Sequence, residues 1–202
     1  MRSLGHLVHA SLHPMIEEKK FPQSLFCSSQ ETEALGSAFQ NHGVQVLQRQ
    51  ASRGIILQGE QILMMYTQRY DDFSFPGGGI DPGEDPQHGL RRELREEAGA
   101  ADIHIIAPFG RVTEFQPTWK KDWDFMHQTS YWYQCALNQP LVANQLEHYE
   151  VANGMAVQWI GVDEAIRHNR AVMAKQPASM GLSIGRETLV LERVAEELLA
   201  AS

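Results

Sequence analysis

The chain has 202 residues, 43% hydrophobic and 21% charged, which is enough apolar material for one large domain with a sizeable core. Its net charge of −8 offers no basic field, so bulk nucleic acid is not an expected partner, and a phosphate ligand would need local Arg or Lys, helix N-termini or metal ions. No stretch approaches the ~18 apolar residues of a membrane-spanning helix, so no membrane partner is expected.

The N-terminal segment MRSLGHLVHASLHPM is mildly apolar but broken by His6, His9 and His13. Without a continuous apolar run it reads as part of the mature protein. The three histidines, spaced by three and four, could join a metal site. No Cys or carboxylate accompanies them, and a His-bearing helix face is the favoured reading. QETEALGSAFQNH (30–42) predicts a short helix stopped by Gly43. Residues 1–43 are thus expected as an N-terminal extension without chemistry of its own, and residues 44–202 as the main domain, C-terminal helix included. Cys27 and Cys135 match no metal spacing. One disulfide could form, but free thiols in a reducing, cytoplasmic compartment are favoured.

From residue 44 the pattern changes. VQVLQRQ alternates, SRGIIL continues the strand, QGEQ turns and ILMMYTQR returns, predicting a long hairpin over 44–69. The glycine-rich FPGGGIDPGED follows, and then a helix over about 86–98. Strands are predicted at 101–115 and 127–138, separated by a polar, Trp-bearing loop at 118–125. A strand at 155–162, a short helix at DEAIRHN and an amphipathic helix at 186–201 complete the chain. Irregular alternation of strands and helices implies an α/β or α+β sandwich with a mixed sheet.

The helix over 86–98 carries clustered acids. With Leu90 at zero and about 100° per residue, Leu94 falls near 40° and Ala98 near 80°, forming the core stripe. Glu97 then lies near 340°, Glu93 near 300° and Glu96 near 240°, on an arc of about 100° beside that stripe. Arg91 and Arg95 lie on the far side and do not fill the acidic arc, so the repulsion is not obviously relieved there. A solvated helix face is the plain reading. A hard divalent cation, bound by a few carboxylates and substrate phosphates, explains the cluster better. Gly89 sits on the same arc. A mid-helix glycine costs about 1 kcal/mol relative to Ala, so either something approaches that backbone closely or the glycine is merely tolerated. The preceding glycines allow tight turns and bring backbone groups toward a metal or phosphate. Glu84 and Arg92 carry opposite charges, and a turn would let them brace loop against helix.

At this point the sequence resembles the Nudix family, whose box is written G-x5-E-x7-R-E-U-x-E-E-x-G-U. Gly78, Glu84, Arg92, Glu93, Leu94, Glu96, Glu97 and Gly99 match at the required spacing, and only Ala100 departs, as a small residue at the final aliphatic position. At ordinary residue frequencies such a match arises by chance about once in a million for a chain of this length. The resemblance implies a Nudix-like α/β/α sandwich with a mixed β-sheet. It also implies Mg²⁺- or Mn²⁺-dependent hydrolysis of a diphosphate bond in a nucleoside diphosphate linked to another group. By transfer, Glu93 and Glu97 are the main metal ligands, Glu96 is a further ligand or acts through water, and the Gly78 carbonyl completes the site. Arg92, with Glu84, orients the glutamates.

In the family the general base often lies on a later loop. Asp122, Asp124, Glu147 and Glu150 are available, and Glu150 is favoured, then Glu147, with a plain surface acid the open alternative for either. Arg69, Tyr70, Trp119 and Trp123 are the expected substrate contacts and Phe73 is another ring able to stack on a base, while tryptophans beside Lys and Asp are equally compatible with loop packing. Pro117, about 15–17 residues past the box, is the family's hint of ADP-ribose; the patterns linked to coenzyme A and NADH hydrolysis are incomplete or missing. The partner is expected to be a small nucleotide, with a homodimer left open. The alternative is a nucleotide-binding sensor on the same fold without catalysis. Its usual mark is loss of box glutamates, and all of them are present.

Overall fold

The computed structural model describes Leu25–Phe26, Phe39 and residues 43–200. His6, His9, His13, Cys27 and, apart from Phe39, the helix expected over 30–42 lie outside the described residues. Strand β1 is Leu25–Phe26. The expected hairpin is present as β2 (Val46–Gln58) and β3 (Gln61–Thr67), registered Leu57↔Ile62 and Gln58↔Gln61 around the turn at Gly59 and Glu60. A short strand that periodicity did not reveal, β4 (Asp72–Ser74), pairs antiparallel with the end of β3. Then come helix α1 (Pro86–Ala98), strands β5 (Ile103–Pro117) and β6 (Phe125–Leu137), and a short helix α2 (His148–Ala152), where only a loop was expected. Strand β7 (Met155–Gly161) leads into α3 (Val162–Lys175), which runs well beyond the short helix predicted. Helix α4 (Ile184–Val194) continues as a π-helical turn, Ala195–Leu199. Among the described residues no helix is long and apolar enough to cross a membrane.

The described residues fall into two compact units. One holds those up to Arg49 and Val112–Thr129; the other holds Gln50–Arg111 and those from Ser130 onward. In the smaller unit β1 pairs antiparallel with β5, Leu25 opposite Phe115. The ring of Phe39 packs on Phe115 at 5.1 Å and Phe125 at 5.5 Å. Gln45 N–H donates to Asp124, Gln48 bonds His127, and Arg49 donates to Gln128, each pair 79 residues apart. A constant difference in residue number, rather than a constant sum, marks β2 and β6 as parallel. The sheet is therefore mixed.

In the larger unit the strand order is β5-β6-β2-β3-β4, with β7 antiparallel to β3 from Gln61↔Gly161 to Thr67↔Met155. Alternation along β3 separates two faces. Leu63 and Met65 pack with Leu90, Leu94, Ala98 and Ala100 of the α1 region, and all are buried. Full burial of Leu90 or Leu94 contributes about 1.5–3 kcal/mol each. Tyr66 points the other way, toward His168 of α3 at 6.1 Å between ring centroids. Helices thus cover both faces of the sheet in this unit, the α/β/α layering expected. Ala100 is buried within the core cluster, so the small residue at the last box position is fully packed.

Candidate active site

Helix α1 begins on a side-chain cap. Asp85 accepts from the N–H groups of Gln87 (2.9 Å) and His88 (3.2 Å), Pro86 occupies the first turn, and Gly99 closes the helix in the left-handed conformation. Ahead of the helix, the glycine loop lies along β2. Gly54 N–H donates to Pro76 O (2.9 Å), Ser52 N–H to Gly78 O (3.0 Å) and Ile80 N–H to Gln50 O (3.0 Å). Gly77, at φ 127°, lies so close to the Ser52 carbonyl that a side chain there would collide with it. Gly78 faces the Glu93 carboxylate at a distance that leaves no room for a methyl group. Gly89 resolves in the same way, because a methyl group there would stand 2.9 Å from Glu84 Oε2. A carboxylate approaches that helix backbone, which is what the glycine permits.

The Glu84–Arg92 brace is present. Arg92 Nε and Nη2 donate to Glu84 at 3.2 and 2.9 Å, and Nη2 also reaches Gly79 O at 3.0 Å. The Arg92 guanidinium, then the Asp81 N–H, hold the Glu84 carboxyl down to about 2. Arg92 Nη1 donates to Glu93 Oε1 at 2.7 Å and stands 3.6 Å from Glu96 Oε2. The acidic arc is therefore partly neutralised by Arg92, a relief that the positions of Arg91 and Arg95 did not make obvious. Arg91 does lie elsewhere, donating to Ile103 O at 2.6 Å.

Glu97 requires a correction. It lies in the interior rather than beside it, only 7% exposed, with Oε2 accepting from Gly77 N–H at 2.8 Å. The segment after β6 covers it: Asn144 Nδ2 donates to Glu97 O, Gln145 N–H to Glu96 O and Val142 N–H to Gly99 O. The same segment delivers Glu150, which is buried and near enough to repel Glu97. Burial, with Glu150 and Glu93 adding repulsion, holds the Glu97 carboxyl well above the ordinary carboxylate range against the pull of Arg53 and Gly77. Burial raises Glu93 as well, opposed by Arg92. Glu96 keeps a side chain 42% exposed.

Glu150 Oε2 accepts from Glu147 N–H at 2.6 Å, and Tyr149 Oη approaches Oε1 at 3.3 Å. Glu147 itself is exposed, and Asp124 is engaged with Gln45 N–H. Arg69 is tied to the end of α2, its Nη1 donating to Asn153 Oδ1 at 3.1 Å, and its guanidinium stands 5.5 Å from the centre of the Tyr70 ring. Phe73 is buried against Tyr66 and His168. Trp119 and Trp123 are exposed and belong to the smaller unit. Cys135 is a buried free thiol.

Arg53 was missed by sequence reading. Its Nη1 donates to the carbonyls of Phe75 (3.1 Å) and Gly77, and its charge acts on both Glu93 and Glu97. The signal was a lone cation inside the apolar strand ASRGIIL. Carboxylates beside a backbone carbonyl are the donor set of a hard divalent cation. Buried carboxylates whose repulsion is only partly offset fit such an ion. As they stand, no group of three or more His, Cys, Asp or Glu among the described residues converges into a complete metal site.

The family model described as NUDIX domain matches residues 48–180. Over 39 residues the chain is 56% identical to an RNA pyrophosphohydrolase of a Nitratiruptor species, covering 19% of this chain and 25% of that protein. Over 58 residues it is 41% identical to the RNA pyrophosphohydrolase of Photorhabdus laumondii subsp. laumondii, covering 27% and 33%. The chain thus spans a third or less of the length of these curated relatives. Among solved structures, a UDP-X diphosphatase is similar with TM-score 0.44 and 16% identity over 87% of this chain and 83% of that one. The E. coli ORF135 protein gives TM-score 0.43 and 17% identity over 76% and 96%.

Proposed function

The chain belongs to the Nudix family, and from that premise we propose that it hydrolyses a diphosphate bond in a nucleoside diphosphate linked to another group, ADP-ribose or a related nucleotide sugar. The observation that carries this reading is the seating of two helix carboxylates on the glycine loop, Glu93 against Gly78 and the buried Glu97 on Gly77 N–H, with the buried Glu150 near enough to repel Glu97. Glu93, Glu97 and the Gly78 carbonyl would hold Mg²⁺ or Mn²⁺, with Glu96 at the rim. When bound, such an ion neutralises diphosphate oxygens and makes water a better nucleophile.

The chain's own residues do the rest. Arg92, braced on Glu84, fixes the Glu93 carboxylate, and the Gly77 N–H fixes Glu97. Glu150, held by the Glu147 N–H, takes the proton of the attacking water. Arg69 and Tyr70 contact the substrate, and Trp119 or Trp123 stacks on its base. Residues 44–202 act as the catalytic domain, and the free Cys135 thiol suits a reducing cytoplasm. Stretches of 39 and 58 residues resemble RNA pyrophosphohydrolases, so a 5′-triphosphorylated RNA belongs among the test substrates. The net charge of −8 favours small nucleotides over that polyanion.

The test is product analysis of ADP-ribose, nucleoside diphosphate sugars, dinucleoside polyphosphates and a 5′-triphosphorylated RNA in millimolar Mg²⁺ or Mn²⁺. Nucleoside monophosphate released from a diphosphate-linked substrate is expected. Tight nucleotide binding without any product would favour the sensor instead.

A further inference from the structure

Among the described residues β4 ends the strand path, and one edge of it has no neighbouring strand there. The outward backbone groups of an edge strand need partners when they are buried. Here two helices supply them with side chains. Asn169 of α3 accepts from Phe73 N–H and donates to Phe73 O, both at 2.9 Å. Two residues on, Glu187 Oε2 of α4 accepts from Phe75 N–H at 3.1 Å. Asn169, Glu187 and Phe75 are all fully buried.

A buried carboxylate is expensive unless it is paired. Arg186, itself buried, pairs with Glu187 by placing Nε at 3.0 Å and Nη2 at 2.7 Å from Oε1. One oxygen thus serves the arginine and the other serves the strand. Apolar residues of similar volume in place of a buried ion pair are often as stable or more so. Stability alone therefore does not explain the pair. What it supplies is a strong, fixed acceptor on a single peptide.

That peptide leads directly into the glycine loop. Phe75 N–H is held by Glu187, and Phe75 O is held by Arg53, which also grips Gly77 O. Gly77 N–H in turn holds Glu97 Oε2. We infer that Glu187, clamped by Arg186, is a positioning residue: from the C-terminal helix it sets the Phe75 peptide, and through Arg53 and Gly77 it sets the Glu97 carboxylate. The catalytic part of this inference rests on the proposed role of Glu97.

Three variants separate the acceptor from the charge. Arg186→Met with Glu187→Gln removes both charges and keeps an oxygen for Phe75 N–H. Arg186→Met with Glu187→Met removes the oxygen as well. Glu187→Asp keeps the charge for Arg186 and withdraws the acceptor by one methylene. Each is assayed, where circular dichroism shows it folded, on the best substrate of the panel in millimolar Mg²⁺, together with amide hydrogen exchange at Gly77 without substrate. The Met/Met and Asp variants should lose about tenfold or more in kcat, as small misplacements do, with KM nearly unchanged and Gly77 exchanging at least about tenfold faster. The Met/Gln variant should keep both near wild type. Equal kcat and equal Gly77 exchange in the Met/Gln and Met/Met proteins would overturn the inference. If the double variants do not fold, a wild-type result for Glu187→Asp on both readouts overturns it. Should the wild-type protein turn over nothing in the panel, the functional reading fails by itself. Gly77 exchange then decides the positioning claim: faster in the variants lacking the acceptor supports it, and unchanged refutes it.

Discussion

The Glu93 carboxylate rests against the backbone of Gly78 with no space for a methyl group between them. Loop and helix therefore define each other's position at the box. Gly78→Ala should displace Glu93 and lower kcat by about 10²-fold. Overpacking should also cost about 1–3 kcal/mol in chemical denaturation. Wild-type turnover in this variant would show that the contact does not position Glu93.

Arg92 and Glu84 form one unit with the 79–84 turn and Glu93. Arg92→Lys cannot reproduce the fork on Glu84 while also reaching Glu93. Groups that orient ligands are worth about 10–100-fold in metal affinity or activity. Glu84→Gln should cost a similar amount, and the double variant little more, since neighbours in one network are not additive. Strictly additive losses in a double-mutant cycle would separate the two residues.

Asp72 supplies a pH signature away from the box. Burial first, then Glu187 and Asp71, push its carboxyl up to about 7, while His168 pulls it down. A carboxyl with a raised folded value binds more protons in the native than in the unfolded state. Its stabilising share is complete below its unfolded value near 3.8 and is lost as pH rises through about 7. Asp72→Asn should therefore flatten unfolding free energy between about pH 4 and 7 and raise it at pH 8. Urea titrations with the same slope in both proteins would contradict this, once Arg186 and Glu187, which share the cluster, are shown unaltered.

Glu150 and the tryptophan loop should fail in different ways. Glu150→Gln removes the proposed base and should lower kcat by about 10²–10⁴-fold. Trp119→Ala or Trp123→Ala should mainly raise KM, because a stacked base is held in ground and transition states alike. Unchanged kinetics in both tryptophan variants would make the loop structural, and unchanged turnover in the Glu150 variant would pass the role of base to Glu147.

The features legible in the sequence are those carried by short spacings. The helix over 86–98, the turn of the β2–β3 hairpin and the Glu84–Arg92 brace all depend on residues close together in the chain. The depth of Glu97 was not legible, because a helical wheel gives an angle but not what the 139–147 segment lays over it. Arg53 was hidden because its partners lie 22 and 24 residues away, and Glu187 because its contact with Phe75 spans 112. Strand β4 is three residues long, too short for alternation to show, and side chains from α3 and α4 complete its hydrogen bonding.

The most direct measurement is turnover of the best diphosphate substrate by wild type and by Glu93→Gln/Glu97→Gln, titrated with Mg²⁺ and with Mn²⁺. Both exchanges keep size and helix propensity while removing the charge a cation needs. Wild-type activity should be abolished by chelation and restored by either cation, and the folded double variant should be slower by orders of magnitude at every cation concentration. A double variant that turns over at the wild-type rate, or wild-type turnover indifferent to chelation, would contradict a cation held by Glu93 and Glu97.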